Sequence, residues 1–153
     1  MKSILFVCTG NTCRSPMAEA LFKKMLPKNT EIEVASAGVQ ATPGLSASMM
    51  TLRVLAEEGI GFSQFQSQPV TAELVKHATY IFAMTHQHRD FLIRHYPQHQ
   101  EKIFLLAEWT TKEDLPDPIG GGLEDYQECC EVIKVALVKI LPFVEEKEFE
   151  DRR

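Results

Sequence analysis

The 153 residues, 44% hydrophobic and 24% charged, have the length of a single domain spanning 1–153, able to bury roughly 70% of the surface its unfolded chain exposes, and no run approaches the ~20 apolar residues of a membrane span. A formal charge of −5 argues against nucleic acid as a partner, because nucleic acid is normally met by a basic face. The apolar stretch near the start is too short for a secretory signal and lacks a small-residue cleavage site, so a cytoplasmic protein is expected, and its four cysteines read as chemistry or core rather than a disulfide framework.

In chain order, Ile4-Leu5-Phe6-Val7 is a run of the length expected for a strand buried on both faces. Ser15-Pro16 predicts a helix start, with Ser as the cap and Pro at the first helical position. Five residues, Thr9-Gly10-Asn11-Thr12-Cys13, separate Cys8 from Arg14, enough for the backbone N–H groups to turn inward around one small anion, helped by the positive end of the following helix. A thiol there is expected to be largely thiolate at neutral pH, and a thiolate facing phosphorus is a nucleophile. Arg14 offers a planar, permanently charged fork suited to phosphate oxygens. A buried strand-end Cys and a surface Arg would be the plainer reading, but the strand before and the helix signal after favour a phosphate cradle. Cys13 reads either as a core residue or as a partner for a reversible disulfide that shields Cys8.

Met17, Ala20, Leu21 and Met25 recur at helical spacing, with Glu19 placed in the first turn, until Pro27 and Asn29. Ile32 to Ala37 predicts a second strand ending at Gly38. Thr42-Pro43-Gly44 is turn chemistry, and 46–58 carries a helical stripe at Met49, Leu52, Leu55 and Ala56, closed by Gly59. After a polar stretch, 61–69, Thr71 caps a short helix, Tyr80 to Met84 is a third strand, and Thr85 caps a helix reaching Tyr96 before Pro97. Lys102 to Leu106 predicts a fourth strand, followed by a long loop, 108–122, of the kind that usually carries function. Tyr126, Cys129, Cys130, Ile133, Leu137, Ile140, Leu141 and Val144 form the apolar stripe of a last helix that Pro142 should kink or end; Glu145 to Arg153 is a charged, solvated tail. Alternating strands and helices imply an α/β fold, a parallel sheet of four strands with right-handed crossovers. In such a sheet reactive groups lie at the carboxyl ends of the strands. The loop after the fourth strand emerges at that edge and brings two candidate acids, Asp114 and Asp117.

The run CTGNTCRSPMAE, with Ser36-Ala37-Gly38, FAMTHQH from Phe82 to His88, and Asp117-Pro118 in the same order, resembles the low-molecular-weight protein tyrosine phosphatase family, and within it the bacterial protein arginine phosphatase branch. The resemblance spans nearly the whole chain. It implies a three-layer fold with strand order 2-1-3-4 and helices on both faces. It also implies a cysteine-dependent protein phosphatase in which Cys8 is the nucleophile, Arg14 and the loop from Thr9 to Cys13 hold the phosphate, and Asp117 rather than Asp114 is the general acid. Asn11, Ser15 and Ser36 match residues that orient the loop, with Ser15 able to donate to the leaving thiolate. Phe65 stands where the family often has a histidine bonded to the loop Asn. Tyrosine-specific members tend to carry an aliphatic residue at the position of Thr12 and aromatic residues at those of Ile119 and Gln40, so the residues present here point to phosphoarginine on protein substrates.

Other readings remain beside it. A tyrosine phosphatase of the same family is the nearest; an arsenate reductase would need two further cysteines near the third strand, and 80–92 has none. A non-catalytic phosphoresidue-binding or phosphocarrier module would not be expected to keep Cys8, Arg14 and Asp117 together. His86 and His88 lie two apart, off a shared helix face, with no further ligand at metal spacing. The loop lacks the Gly-Lys-Ser/Thr ending of a nucleotide-binding loop. No metal or cofactor is expected.

Overall fold

A computed structural model describes residues 1–146. Most of the predicted charged tail, 147–153, lies outside the described residues. Four strands, β1 (Ser3–Cys8), β2 (Glu33–Gly38), β3 (Tyr80–Ala83) and β4 (Ile103–Leu105), form one parallel sheet in the order β2-β1-β3-β4. Five helices, α1 (Arg14–Met25), α2 (Met49–Glu57), α3 (Ala72–His77), α4 (His86–His95) and α5 (Leu123–Glu145), cover it. Side chains alternate across β1, so Ile4, Phe6 and Cys8 face a core shared with α1, α2 and α5, while Leu5 and Val7 face a second core with α3 and α4. Both faces of β1 are therefore buried, and this is why its sequence is an unbroken apolar run. Phe6 packs edge-on against Phe22 of α1 and stacked against Phe82 of β3, with ring centroids 5.8 Å apart in each pair.

Several local expectations are corrected. β1 runs through Cys8, so the nucleophile candidate is the last strand residue, held by pairing with Gly38 of β2. α1 begins at Arg14 with no side-chain cap. Ser15 is inside the helix and fully buried, its hydroxyl turned back toward Cys8. Starting the helix there also puts Glu19 beyond the first turn, where it is buried rather than solvated. α2 starts late, at Met49, because Ser48 accepts from the Thr51 N–H as the cap. Met49 is 87% exposed and lies outside the apolar stripe expected of it. Thr71 and Thr85 cap α3 and α4 as expected. β4 has three residues, and a short 3-10 turn, Leu106–Trp109, follows it. Pro142 neither ends nor interrupts α5, which continues through it to Glu145. The proline has no N–H to offer the Val138 carbonyl one turn back, so a single helix bond is missing while the chain stays helical to Glu145.

Gly38 is the joint between sheet and loop. A β-carbon there would collide with the Thr9 carbonyl oxygen and approach the Asn11 nitrogen at 2.9 Å. Its absence lets the chain after β2 run close to the loop after β1, with the Val39 N–H donating to the Cys8 carbonyl and the Gln40 N–H to the Thr9 carbonyl, both at 2.9 Å.

Candidate active site

The segment 8–15 closes on itself around the Cys8 sulfur. Sγ lies 2.8 Å from the Ser15 hydroxyl, and the backbone N–H groups of Asn11 and Ser15 also point at it. Asn11 makes the tight turn possible with a left-handed φ of 58°, a conformation that Asn tolerates better than most residues. Its side-chain oxygen accepts from the Gln68 backbone N–H at 2.9 Å, which fixes the amide orientation. The two hydrogens of its NH2 group then go to Ser15 at 2.8 Å and Ser36 at 2.9 Å.

From this orientation the direction of the whole network follows. The Ser36 hydroxyl donates to the Glu19 carboxylate at 2.7 Å, leaving its oxygen to accept from Asn11. Ser15 likewise accepts from Asn11, leaving its proton for Cys8. Glu19 is held in turn by Lys23 at 2.7 Å. Gln68 supplies its backbone N–H to Asn11 and its side-chain amide to the Ser36 carbonyl at 3.0 Å. Phe65 instead stacks on Phe62, with centroids 5.0 Å apart.

Arg14 is 5% exposed. Its Nη1 donates to the Leu115 carbonyl at 3.3 Å, and its Nη2 lies 3.7 Å from the Asp117 carboxylate. The loop carrying Asp117 is tied down nearby, since the Leu115 N–H donates to the Met84 carbonyl at 3.1 Å. Asp117 itself remains half exposed, at the mouth. The two candidate acids separate here. Asp114 accepts from the His86 backbone N–H at 2.7 Å and meets its ring Nδ1 at 2.8 Å, so it anchors the loop to the start of α4, while Asp117 alone reaches Arg14. Burial works to raise the Asp114 carboxyl, but the His86 bonds and the charges of His86 and His88 outweigh it, and the net shift is downward.

One electrostatic expectation is overturned. The Cys8 thiol is pushed up from its ordinary value, not down: burial dominates, over the opposing effects of the Ser15 hydroxyl, the Ser15 and Asn11 N–H groups and Arg14. Cys8 has only 3% exposure, and desolvation of a thiolate costs more than these donors and Arg14 return.

The remaining predicted residues are placed as follows. Thr12 is partly buried, its carbonyl accepting from the Ser48 N–H at 2.9 Å, while Gln40 and Ile119 are exposed. Cys13 turns its sulfur toward the Ser48 and Tyr126 hydroxyls, 3.6 Å from each, and all four cysteines are free thiols. His86 and His88 diverge, the first to Asp114 and the second to Thr9 and Thr85. Among the described residues, no cluster of three His, Cys, Asp or Glu side chains could hold a metal, and no helix is long and apolar enough to cross a membrane. Two residues noted in the sequence for other reasons take part in the site in ways it did not indicate. The link from Glu19 was findable, since it follows Ser15 by four and shares its helix face; that of His88 was not, because its partner Thr9 lies 79 positions away.

A model of the low molecular weight phosphotyrosine protein phosphatase family matches residues 3–150. Over 128 residues the chain is 41% identical to a protein-arginine-phosphatase of Bacillus subtilis (strain 168), covering 82% of this chain and 85% of that one. The solved YwlE arginine phosphatase of Geobacillus stearothermophilus superposes with a TM-score of 0.88 at 37% identity, over 98% of this chain and 97% of that one. A YwlE arginine phosphatase variant with a phosphorylated active site serine superposes with a TM-score of 0.83 at 35% identity, over 95% and 98% of the two chains.

Proposed function

Because the chain belongs to the low molecular weight phosphotyrosine protein phosphatase family, we propose that it hydrolyses phosphoarginine on proteins through a cysteinyl-phosphate. The observation that carries the reading is the convergence of the Cys8 sulfur, with its Ser15 donor at 2.8 Å, and of Arg14, which links the cradle to Asp117 at 3.7 Å. A nucleophile, an anion-binding fork and a half-exposed carboxyl at one mouth are the parts that phosphoryl transfer needs. Relatives named as arginine phosphatases support the substrate, and the phosphorylated serine in one of them supports the covalent step.

The chemistry can be written atom by atom. A docking phosphoryl dianion accepts the Cys8 proton on one of its oxygens, which offsets the burial that holds that proton on the sulfur. The thiolate so formed is stabilised by the Ser15 hydroxyl, the two N–H groups and Arg14. Sulfur then attacks phosphorus in line, the P–N bond breaks, and the departing guanidine nitrogen takes the proton of the Asp117 carboxyl. Water next attacks the cysteinyl-phosphate and gives a proton to Asp117, the S–P bond breaks, and the departing phosphate hands back to the sulfur the proton it took from Cys8. Arg14 neutralises the equatorial oxygens throughout. No step requires a metal.

At the mouth, Thr12 offers a hydroxyl, while Gln40 and Ile119 give an aryl ring little to stack on. A tyrosine phosphatase is the second reading, supported by the family's own description. Cys8→Ser and Arg14→Ala should each lower phosphate release from a phosphoarginine-bearing protein by about 10³-fold or more, while a chelator leaves it unchanged. Turnover that survives Cys8→Ser rules out the covalent route.

A further inference from the structure

Thr9, the residue after the nucleophile, is gripped from both sides. On the β2 side its carbonyl accepts from the Gln40 N–H at 2.9 Å. On the β3 side its hydroxyl lies 2.7 Å from Nε2 of His88. His88 is itself immobilised: it has 1% exposure, and its Nδ1 lies 3.0 Å from the hydroxyl of Thr85, the residue whose same oxygen caps α4 by accepting from the His88 N–H at 3.3 Å. The helix cap therefore holds the ring, and the ring holds Thr9. A neutral imidazole has one donor and one acceptor nitrogen, which two hydroxyls can satisfy in full.

We propose that His88 is a positioning residue that, through Thr9, holds the start of the phosphate loop in its anion-binding shape. The inference rests on the phosphatase reading but not on which phosphorylated residue is the substrate. The mechanism above makes no use of His88, and the sequence gives no reason for a histidine to be buried at the third position of α4. The geometry gives one. Without the Thr9 hydroxyl bond, the first loop residue loses its tie toward β3 and keeps the one toward β2, and the N–H groups that follow lose a fixed direction. A hydroxyl can pair with a ring of either charge, and here the surroundings favour the neutral one. The charged groups acting on it are Arg14 of α1 and the carboxylates of Asp114 and Asp117 in the loop before α5. Arg14 and burial favour the neutral form, and the two carboxylates oppose them.

The test uses Thr9→Val, which keeps the shape and removes the hydroxyl, together with His88→Ala and the double variant. Inorganic phosphate affinity and kcat/KM for p-nitrophenyl phosphate are measured at pH 7, with thermal unfolding recorded beside them. Each single change should weaken phosphate binding roughly tenfold, the fold-change of one net hydrogen bond, and the double variant should be no worse than the poorer single. Effects that multiply, or a Thr9→Val protein that loses stability yet binds phosphate as the wild type does, would overturn the proposal and leave His88 a packing residue. Both probes are indifferent to arginine or tyrosine specificity. A wild-type protein that neither binds phosphate nor cleaves the ester would instead overturn the phosphatase reading, and this inference with it.

Discussion

Asn11 is the residue on which the site turns, because one side chain sets the direction of four hydrogen bonds. Its oxygen is committed to the Gln68 N–H, so its nitrogen must serve Ser15 and Ser36, and Ser15 is left with a proton for the sulfur. His88 carries a different consequence. Burial first, then Arg14, lower its ring to about 4 from an ordinary 6.5. A depressed histidine binds protons more readily when unfolded, so its contribution to stability is complete above pH 6.5 and is lost as pH falls toward 4. That shift corresponds to roughly 3 kcal/mol. Asp114, also lowered, has the opposite charge type and loses its contribution only below its ordinary 3.8, so the two windows do not overlap. Unfolding measured from pH 7 to 4.5 should show a steep loss in the wild type and a shallower one in His88→Gln; equal slopes would assign the acid sensitivity elsewhere. At this scale the sequence was a partial guide. Cys8, Arg14 and Asp117 were legible as candidates because loop spacing and the resemblance name them, and the fold places Asp117 3.7 Å from Arg14. The local signature of a serine before a proline suggests a cap that Ser15 does not make, while its partner Cys8, which the resemblance implies, is supplied by the loop folding back.

At the level of elements, the loop owes its shape to the ends of β1 and β2 more than to its own residues. Cys8 is fixed by strand pairing with Gly38, and the missing side chain at Gly38 admits the Thr9 carbonyl and the Asn11 nitrogen. Gly38→Ala should therefore displace the loop while leaving the sheet paired, with kcat/KM falling about 100-fold, the effect of a misplacement near 1 Å. Circular dichroism would check that the fold is retained; activity within threefold of wild type would show that the loop tolerates the shift. The Ser48 cap is the other joint, since its N–H holds the Thr12 carbonyl while its hydroxyl starts α2. Element type was readable for the four strands and five α-helices, since period and capping residues decide it locally, but not for the 3-10 turns on either side of β4. Boundaries were less so. Met49 looked like part of an apolar stripe, yet the helix begins only there, and its side chain points to solvent. Pro142 looked like a stop, yet the surrounding packing of Ile140 and Val144 carries α5 past it.

Across the whole molecule, the sheet order β2-β1-β3-β4 puts β1 in the interior, so that the loop after β1 is flanked by chain leaving β2 on one side and β3 on the other. Gln40 reaches Thr9 from the first and His88 from the second, while the loop after β4 crosses to Arg14 with Leu115 and Asp117. Alternation of elements implies the parallel sheet, but the order came from family resemblance, because pattern alone does not say which strands are neighbours. Under the proposed function, substrate choice would fall to the rim residues Thr12, Gln40 and Ile119. In phosphoarginine the leaving group is a guanidine whose conjugate acid has a pKa above about 12, so its departure depends on a proton; a phenol, near 10, leaves more readily. Asp117→Asn should accordingly damage phosphoarginine turnover severely and that of an activated aryl phosphate less, as read from kcat on each substrate. The central claim is tested most directly by the ratio of kcat/KM for phosphoarginine to that for phosphotyrosine, measured in the wild type and in Thr12→Ile. The account predicts a ratio well above one that falls toward phosphotyrosine when the hydroxyl is replaced by apolar surface; a wild-type ratio below one, or a ratio that Thr12→Ile does not move, would contradict it.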